Sequence, residues 1–386
     1  MNNKQGKKVL VLLYSHPEHY PPTLNAIREL AKCCEHIALV YRSFQEEQWN
    51  YPHNVELIPD KKFISALDQQ QSPLYRKIYL FFNYTILVIR TYLKFKPDIF
   101  LVYDPLPTLS WSILNILKKK NYFLWYHNHD VLNKSDISSW SISAWALKAE
   151  RKILKDLDLF SLPSIERKQY FTPCVHNDKF VHLPNYPAAD FYTPFRKIKV
   201  IDDEIKLVYQ GKISRGHGIE HIIKILDKKI IHKKISLHLI GNVTNEYKEE
   251  LVELNRSNTN RLNLHFYGYV SYNQLPSLSS QFHIGIAINE PNDIIYKTGG
   301  TASNKIYEYA ALGLPILYFD DAHYNKYLEK YPWAYATSLT VESTENALSE
   351  IVKDYSELSN KAYGDFINEL SFEKQFKQIQ KKIFKA

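Results

Sequence analysis

The chain reads as an α/β protein made of two doubly wound, Rossmann-like domains, and three observations predict this. Short apolar runs alternate with longer helical patterns, which is the grammar of parallel sheets covered by helices. The 386 residues, 45% of them hydrophobic, exceed what a single core usually organises. A stretch rich in breakers, Leu183-Pro184-Asn185-Tyr186-Pro187 through Pro194, leads into the charged segment Arg196 to Glu204 and separates two series of strands. The expected domains are therefore 1–195 and 196–370, with 371–386 a C-terminal helix packing back on the first.

In the first half, Val9 to Leu13 is a buried-strand run. After the turn-like Ser15-His16-Pro17, Thr23 can cap a helix that carries Leu24, Ile27, Leu30 and Ala31 on one face. His36 to Tyr41, Ile99 to Tyr103 and Tyr122 to Tyr126 are predicted strands, and Trp140 to Leu157 a predicted helix. In the second half, strands are expected at Lys206 to Tyr209, Ser236 to Ile240, Asn263 to Tyr267, His283 to Ile288 and Ile316 to Phe319. Open α/β sheets bind ligands beyond the carboxyl ends of their strands, so the loops after these strands are the place to seek chemistry.

Composition narrows the function classes. The formal charge of +8 favours an anionic partner, but Lys and Arg are scattered and no finger, RNP-like or basic-zipper pattern accompanies them, which argues against nucleic acid. The opening MNNKQGKKVLVLLYS holds too short an apolar run for a signal-peptide core, so a cytoplasmic protein is expected. Cys33, Cys34 and Cys174 form no CxxC pair and suit reduced thiols in packing.

The strongest local motif is Ser303-Asn304-Lys305-Ile306-Tyr307-Glu308-Tyr309-Ala310-Ala311-Leu312-Gly313-Leu314-Pro315, preceded by Gly299-Gly300-Thr301. Ser303 is a reasonable N-cap, Gly313 a reasonable residue just past the helix end, and Pro315 prevents continuation. Free amides at the helix start, the dipole and the Lys305 charge together outline a diphosphate cradle with Gly300 and Thr301. A surface helix with a solvated Lys-Glu pair fits the same residues.

The second motif is Tyr209-Gln210-Gly211-Lys212-Ile213-Ser214-Arg215-Gly216-His217-Gly218-Ile219-Glu220, a glycine-rich, basic loop between strand and helix. It is neither a Walker A loop nor a dinucleotide fingerprint; it suits a pyrophosphate held by Lys212 and Arg215, or a plain strand-to-helix turn. The third is Trp125-Tyr126-His127-Asn128-His129-Asp130 at a strand end. A histidine there can donate to a sugar hydroxyl. Two histidines and an aspartate also raise a metal site, but alternate residues of an extended segment face opposite sides and no further ligand cluster is evident, so no metal is expected. A capped strand end, with Asp130 as an N-cap or turn residue, is the alternative.

Together these residues resemble the retaining GT-B glycosyltransferases of the large group 1 family, many of which build bacterial capsules, lipopolysaccharides and exopolysaccharides. The resemblance spans nearly the whole chain. It implies two Rossmann-like domains facing a cleft, a nucleoside diphosphate sugar as co-substrate without any further cofactor, and a glycan or lipid-linked acceptor. It puts the diphosphate on Lys305 and the preceding loop, and the donor ribose on Glu308. Lys212 stands where the family usually has arginine, and His217 where it has lysine. His129 resembles the cleft histidine that touches the transferred sugar, with His127 its competitor. Many members carry a second glutamate where this chain has Gly300, so Glu290, Asn292 and Asp293 become the donor-sugar candidates. Leu183-Pro184-Asn185 resembles the family's interdomain segment. The resemblance implies retention of anomeric configuration and chemistry without a metal. A nucleotide-sugar epimerase of the same architecture, or a non-catalytic sugar- or lipid-binding relative, are the alternatives.

One further segment stands out. Tyr75 to Lys96 is aromatic and apolar with Arg76, Lys77, Arg90, Lys94 and Lys96 at its ends, too interrupted to span a bilayer. It fits either a helix resting on an anionic membrane, at the inner face of the plasma membrane, or a buried helix with snorkelling lysines.

Overall fold

The computed structural model describes residues 5–46, 48–60, 72–117, 121–132, 137–138, 141–171, 175–226, 233–259 and 262–385. The chain divides into two compact units, Met1–Pro184 with Gln375–Ala386, and Asn185–Lys374.

The first unit is built on a seven-stranded parallel sheet in the order β3-β2-β1-β4-β5-β6-β7. Its strands are β1 (Gln5–Leu13), β2 (Cys34–Arg42), β3 (Val55–Asp60), β4 (Ile99–Tyr103), β5 (Phe123–His127), β6 (Leu159–Leu162) and β7 (Phe180–His182). Central strands such as β4 are buried at every position, as expected of a parallel sheet with helices on both faces. Leu10, Val40, Phe100, Val102, Leu124 and Tyr126 form the middle of its core. The second unit repeats the plan with six parallel strands in the order β10-β9-β8-β11-β12-β13. These are β8 (Glu204–Gln210), β9 (Lys234–Ile240), β10 (Asn263–Gly268), β11 (Ile284–Ala287), β12 (Ile316–Phe319) and β13 (Ala334–Thr337). Strand order reverses at β1/β4 in one sheet and β8/β11 in the other, so each unit has a switch-point crevice at its strand carboxyl ends.

Every strand expected from sequence is present within a residue or two at its ends, except that β1 starts at Gln5, four residues before the expected Val9. Four strands were not anticipated. β3 contains Pro59 and two acids, which an edge strand tolerates; β6 and β7 are only four and three residues long; β13 reads AYAT, without strong apolar character. Thr23 is not a cap: Pro21 at the first turn starts the helix Pro21–Cys33 behind Tyr20, which leaves Thr23 inside it. The helix Ile142–Asp156 is capped by Ser141, whose Oγ accepts from the Ala144 amide at 3.2 Å; Trp140, like Cys174, lies outside the described residues.

The units part at Pro184/Asn185, ahead of the boundary expected at 195. The reason is local packing. The Asn185 amide donates to the Thr301 carbonyl at 3.0 Å, Tyr186 packs on Tyr307 with ring centroids 4.4 Å apart, and Tyr192 is buried in the second unit. At the other end the helix Phe372–Lys385 begins in the second unit, where Glu373 accepts the Ala189 amide at 3.0 Å. From Gln375 on it belongs to the first: Phe376 meets Trp125 at 6.0 Å and the Lys7 ammonium donates to the Ile383 carbonyl at 3.1 Å. Among the described residues no helix is long and apolar enough to cross a membrane.

Candidate functional site

Each unit gathers its polar side chains at the carboxyl ends of its strands. In the first unit the chain leaves β4 through Asp104, a non-glycine residue at φ +62°, in the left-handed region that Asp tolerates better than most. That turn aims the Asp104 carboxylate at the segment following β5. Asp104 accepts the His129 amide at 2.8 Å and faces His129 Nδ1 at 2.8 Å. A carboxylate only accepts, so Nδ1 carries a proton, and in the neutral ring Nε2 is left to accept the Thr23 hydroxyl at 3.0 Å. Tyr103 stacks on the imidazole at 4.7 Å and Tyr20 flanks it at 4.7 Å. Arg167 donates to the His129 carbonyl and lies 3.3 Å from half-exposed Asp130, so Asp130 acts as a loop clamp.

His127 has a different setting. It is the last residue of β5, its Nδ1 lies 2.8 Å from Ser161 Oγ, and burial drives its pKa down so that the ring is neutral. Of the two histidines, His129 alone is joined to a carboxylate and a hydroxyl beyond the strand end. Neither Asp104 nor Thr23 was marked by the sequence motifs, although Asp104 directly follows the strand Ile99–Tyr103.

In the second unit the glycine-rich loop leaves β8 after Gln210 with Gly211, Gly216 and Gly218 all at positive φ. Gly218 shows why: besides its φ of +67°, an added Cβ would lie 2.6 Å from Ile288. The loop feeds the helix Ile219–Leu226, which buries Ile219, Ile222 and Ile223. Across the switch point, the helix Asn304–Ala311 runs behind Ser303, which sits at the N-cap position without a side-chain cap bond. Gly313 follows Leu312 at φ +67°, the conformation that closes a helix.

This helix carries Lys305 and Glu308 one turn apart. The Lys305 ammonium lies 3.2 Å from Tyr209 Oη and 3.1 Å from Asn289 Oδ1, above the Tyr209 ring at 4.3 Å. Its pKa is pushed down to about 7 by loss of solvent, with Glu308 a weaker opposing influence. Glu308 is 4% exposed and accepts from Gln210 Nε2 at 2.5 Å, with the Tyr192 and Tyr272 hydroxyls around it. Burial lifts its pKa to about 7 against these hydrogen bonds and against Lys305. His217 packs between Tyr209 and Tyr296, and burial first, then the Lys305 charge, lower its pKa to about 4, so it adds no cation at neutral pH.

Other expected donor residues are arranged less directly. Arg215, an exposed side chain, pairs with Glu250 and Glu220 and covers the Tyr247 ring at 5.4 Å. Lys212 is exposed, and its carbonyl accepts the Tyr209 hydroxyl at 2.9 Å. The Gly300 amide is not open to an anion: it donates to His323 Nε2 at 2.9 Å, while the Gly300 carbonyl accepts from Tyr307 at 2.6 Å. A side chain at position 300 would strike Tyr327 at 2.4 Å, which explains how this chain excludes the family's glutamate there. Thr301 is buried and its carbonyl is engaged by Asn185. Glu290 donates its amide to Gly216 O at 2.9 Å and its carboxylate stands 4.0 Å from His221; Asn292 lies beside Gly216; and Asp293 caps a short helix through the Tyr296 amide at 2.9 Å. Gln210, Asn289 and His323 are the members that sequence reasoning missed. Gln210 and Asn289 were legible by position, since each ends or follows a switch-point strand.

No protein-family model and no curated relative matches the sequence. Solved structures do. Anabaena HepE in complex with UDP superimposes with a TM-score of 0.66 at 13% identity, over 98% of this chain and 100% of that one. WaaG, a glycosyltransferase involved in lipopolysaccharide biosynthesis, does so with 0.64 at 14% identity, over 98% and 100%. A UDP-GlcNAc 2-epimerase from Neisseria meningitidis bound to UDP-GlcNAc gives 0.62 at 14%, again over 98% and 100%. At these identities the likeness is one of fold, and the fold is the two-domain α/β architecture of the GT-B glycosyltransferases, as the sequence resemblance implied.

Proposed function

We propose that this protein is a retaining glycosyltransferase that moves a sugar from a nucleoside diphosphate sugar to a hydroxyl of a glycan or lipid-linked saccharide, in the synthesis of a bacterial surface polysaccharide. The observation that carries this reading is the desolvated Lys305 beside Glu308 at the switch point of the second sheet. A lysine short of solvent, whose pKa sits near 7, gains most from an incoming diphosphate, because the anion restores the stabilisation that burial removed. The departing diphosphate is the largest charge to develop in such a transfer. In our reading Lys305, Lys212 and the amides at the start of the helix Asn304–Ala311 stabilise it, in place of a divalent metal. Glu308 serves the ribose hydroxyls, with Gln210 fixing its carboxylate.

The first domain takes the acceptor side of the proposal. His129, held at Nδ1 by Asp104, meets a hydroxyl of the transferred sugar through Nε2, which accepts from it in place of Thr23; His127 is tied to Ser161 at the strand end. With glycine at position 300, Glu290 and Asn292 are the polar side chains proposed to meet the donor sugar, and no covalent carboxylate nucleophile is assigned. The acceptor is proposed to lie at the inner face of the plasma membrane.

The epimerase among the similar folds keeps one rival in view. Product analysis separates them. Purified protein is incubated with UDP-, GDP-, CDP- and dTDP-sugars, with and without saccharide acceptors and with a chelator present, and products are followed by chromatography and NMR. Acceptor-dependent release of a nucleoside diphosphate, unaffected by the chelator, with the anomeric configuration kept, is the expected result. A new nucleotide sugar formed without any acceptor would replace the transferase reading by the epimerase one.

A further inference from the structure

At the strand amino ends of the first unit, away from the carboxyl ends where Asp104 meets His129, lies a cavity of about 700 Å³. That volume is within the range usual for small-molecule sites. Its walls come from β1, β2, the start of β3 and the last turns of the helix Leu74–Phe95.

The groups on these walls are of three kinds. Lys8, Arg90 and Lys94 are exposed cations, and none of them forms an ion pair among the described residues. Arg90 and Lys94 stand four positions apart on the helix and so share a face. The helix end supplies a negative pole of roughly half a unit charge, which answers only part of theirs. Acceptors are the second kind. Glu56 stands 3.5 Å from His36, whereas Glu35 has no cationic partner among the described residues. Asn54 is 6% exposed and donates through Nδ2 to the Ala31 and Cys34 carbonyls, at 3.0 Å each. These bonds fix the amide and leave its Oδ1, an acceptor, without a partner among the described residues. The third kind is apolar: Ile58 and the half-buried ring of Phe95, whose centroid lies 5.5 Å from that of His36.

Each kind restricts the ligand. Three cations against two carboxylates leave a small positive excess, which suits one acidic group and disfavours a polyanion. Glu35 and Asn54 call for hydrogen-bond donors, which hydroxyls supply. The Phe95 wall calls for a compact carbon skeleton. A bare anion leaves the acceptors unanswered, and a neutral sugar leaves the cations so.

We propose that this cavity binds an acidic saccharide, a sugar unit bearing one phosphate or carboxylate. The acidic group lies on Arg90 and Lys94 with Lys8 completing the charge, and hydroxyls donate to Glu35 and to Asn54 Oδ1. No residue is shared with the Lys305 cluster, so the proposal does not rest on the transferase reading.

The test is calorimetric titration of glucose 6-phosphate, glucuronate, glucose and inorganic phosphate into the full chain. Wild type is compared with Arg90→Gln/Lys94→Gln, Lys8→Ala and Lys305→Ala. The cavity substitutions fall on exposed side chains, circular dichroism and melting confirm the fold, and Lys8→Ala gives an independent reading should the double variant not fold. Saturable heat is expected from glucose 6-phosphate or glucuronate, and which of them responds tells phosphate from carboxylate. Glucose and inorganic phosphate should each bind at least about tenfold more weakly. The double substitution should weaken the acidic sugar by about tenfold or more and Lys8→Ala by about threefold to tenfold, with Lys305→Ala unchanged. No saturable heat from either acidic sugar would overturn the proposal. So would glucose or inorganic phosphate binding as tightly, since the cavity would then read only one of the two features. Binding that the folded cavity variants keep, or that Lys305→Ala removes, would place the ligand elsewhere and equally overturn it.

Discussion

The two polar clusters at the strand ends of this molecule are organised on opposite principles. In the first unit His129 is satisfied on both ring nitrogens, by Asp104 and by Thr23, and is clamped between Tyr20 and Tyr103. In the second unit half-buried Lys305 and buried Glu308 sit on one helix turn, with their pKa values drawn together to about 7 by loss of solvent. One cluster is preorganised by hydrogen bonds; the other holds ionisable groups at a desolvation cost that a ligand can relieve. The difference teaches where chemistry is to be expected: orientation from the first unit, charge stabilisation from the second.

The largest effect should come from the desolvated cluster. Lys305→Ala is expected to lower kcat/KM by about 10²- to 10³-fold and to abolish the melting-temperature rise produced by the donor. Retained activity would show that the burden falls elsewhere, on Lys212 or the helix amides. Next is the histidine pair, which sharpens the comparison inside the first unit. His129→Ala should cost about 10²-fold in kcat while donor-induced stabilisation persists. His127→Ala should instead act on folding, destabilising by about 1–3 kcal/mol through the lost Ser161 bond and a cavity in denaturant titrations. If the two variants exchanged these phenotypes, His127 would be the functional histidine.

How far these assignments could be read in advance depended on distance along the chain. The strands of continuous apolar residues were plain, as were Gly313 past its helix and the pairing of Lys305 with Glu308 one turn apart, because each rests on local periodicity or backbone conformation. Contacts made by distant residues were not. Arg215 is taken by Glu250, 35 positions on; the Gly300 amide by His323, 23 positions on; and Asp104 meets His129 across 25. Nor did the breakers reveal that 185–195 packs with the second unit, since only Tyr186 and Tyr192 finding their burial there decides it. Short β6, β7 and β13 carried too few residues for any period to register.

A smaller effect follows from titration. The Lys305 amine loses its proton as pH rises through about 7, and a bound diphosphate favours the charged form. Nucleoside diphosphate affinity should therefore fall above pH 7, by up to about tenfold per pH unit, with proton uptake visible as buffer-dependent heat. Constant affinity from pH 6.5 to about 9 would show that Lys305 keeps its charge in the free protein. The smallest effect concerns stability. Because Glu308 has a raised pKa, the folded protein holds that proton more tightly than the unfolded chain, and its contribution is lost as pH rises from the usual carboxylate range through about 7. Glu308→Gln should thus match wild type near pH 4 and melt higher above pH 7, by about 2–4 °C for each kcal/mol recovered. A lower Tm at high pH would mean that the carboxylate is better satisfied than its burial implies.

The central claim, that the second unit holds a nucleoside diphosphate through Lys305, is tested most directly by calorimetric titration of UDP, GDP, CDP and dTDP into wild type and Lys305→Ala at neutral pH. The account predicts saturable heat with at least one of the four in wild type, and binding weakened by about 10²-fold or more in a variant that remains folded. No heat from any nucleotide, or equal affinity in the two proteins, would contradict it.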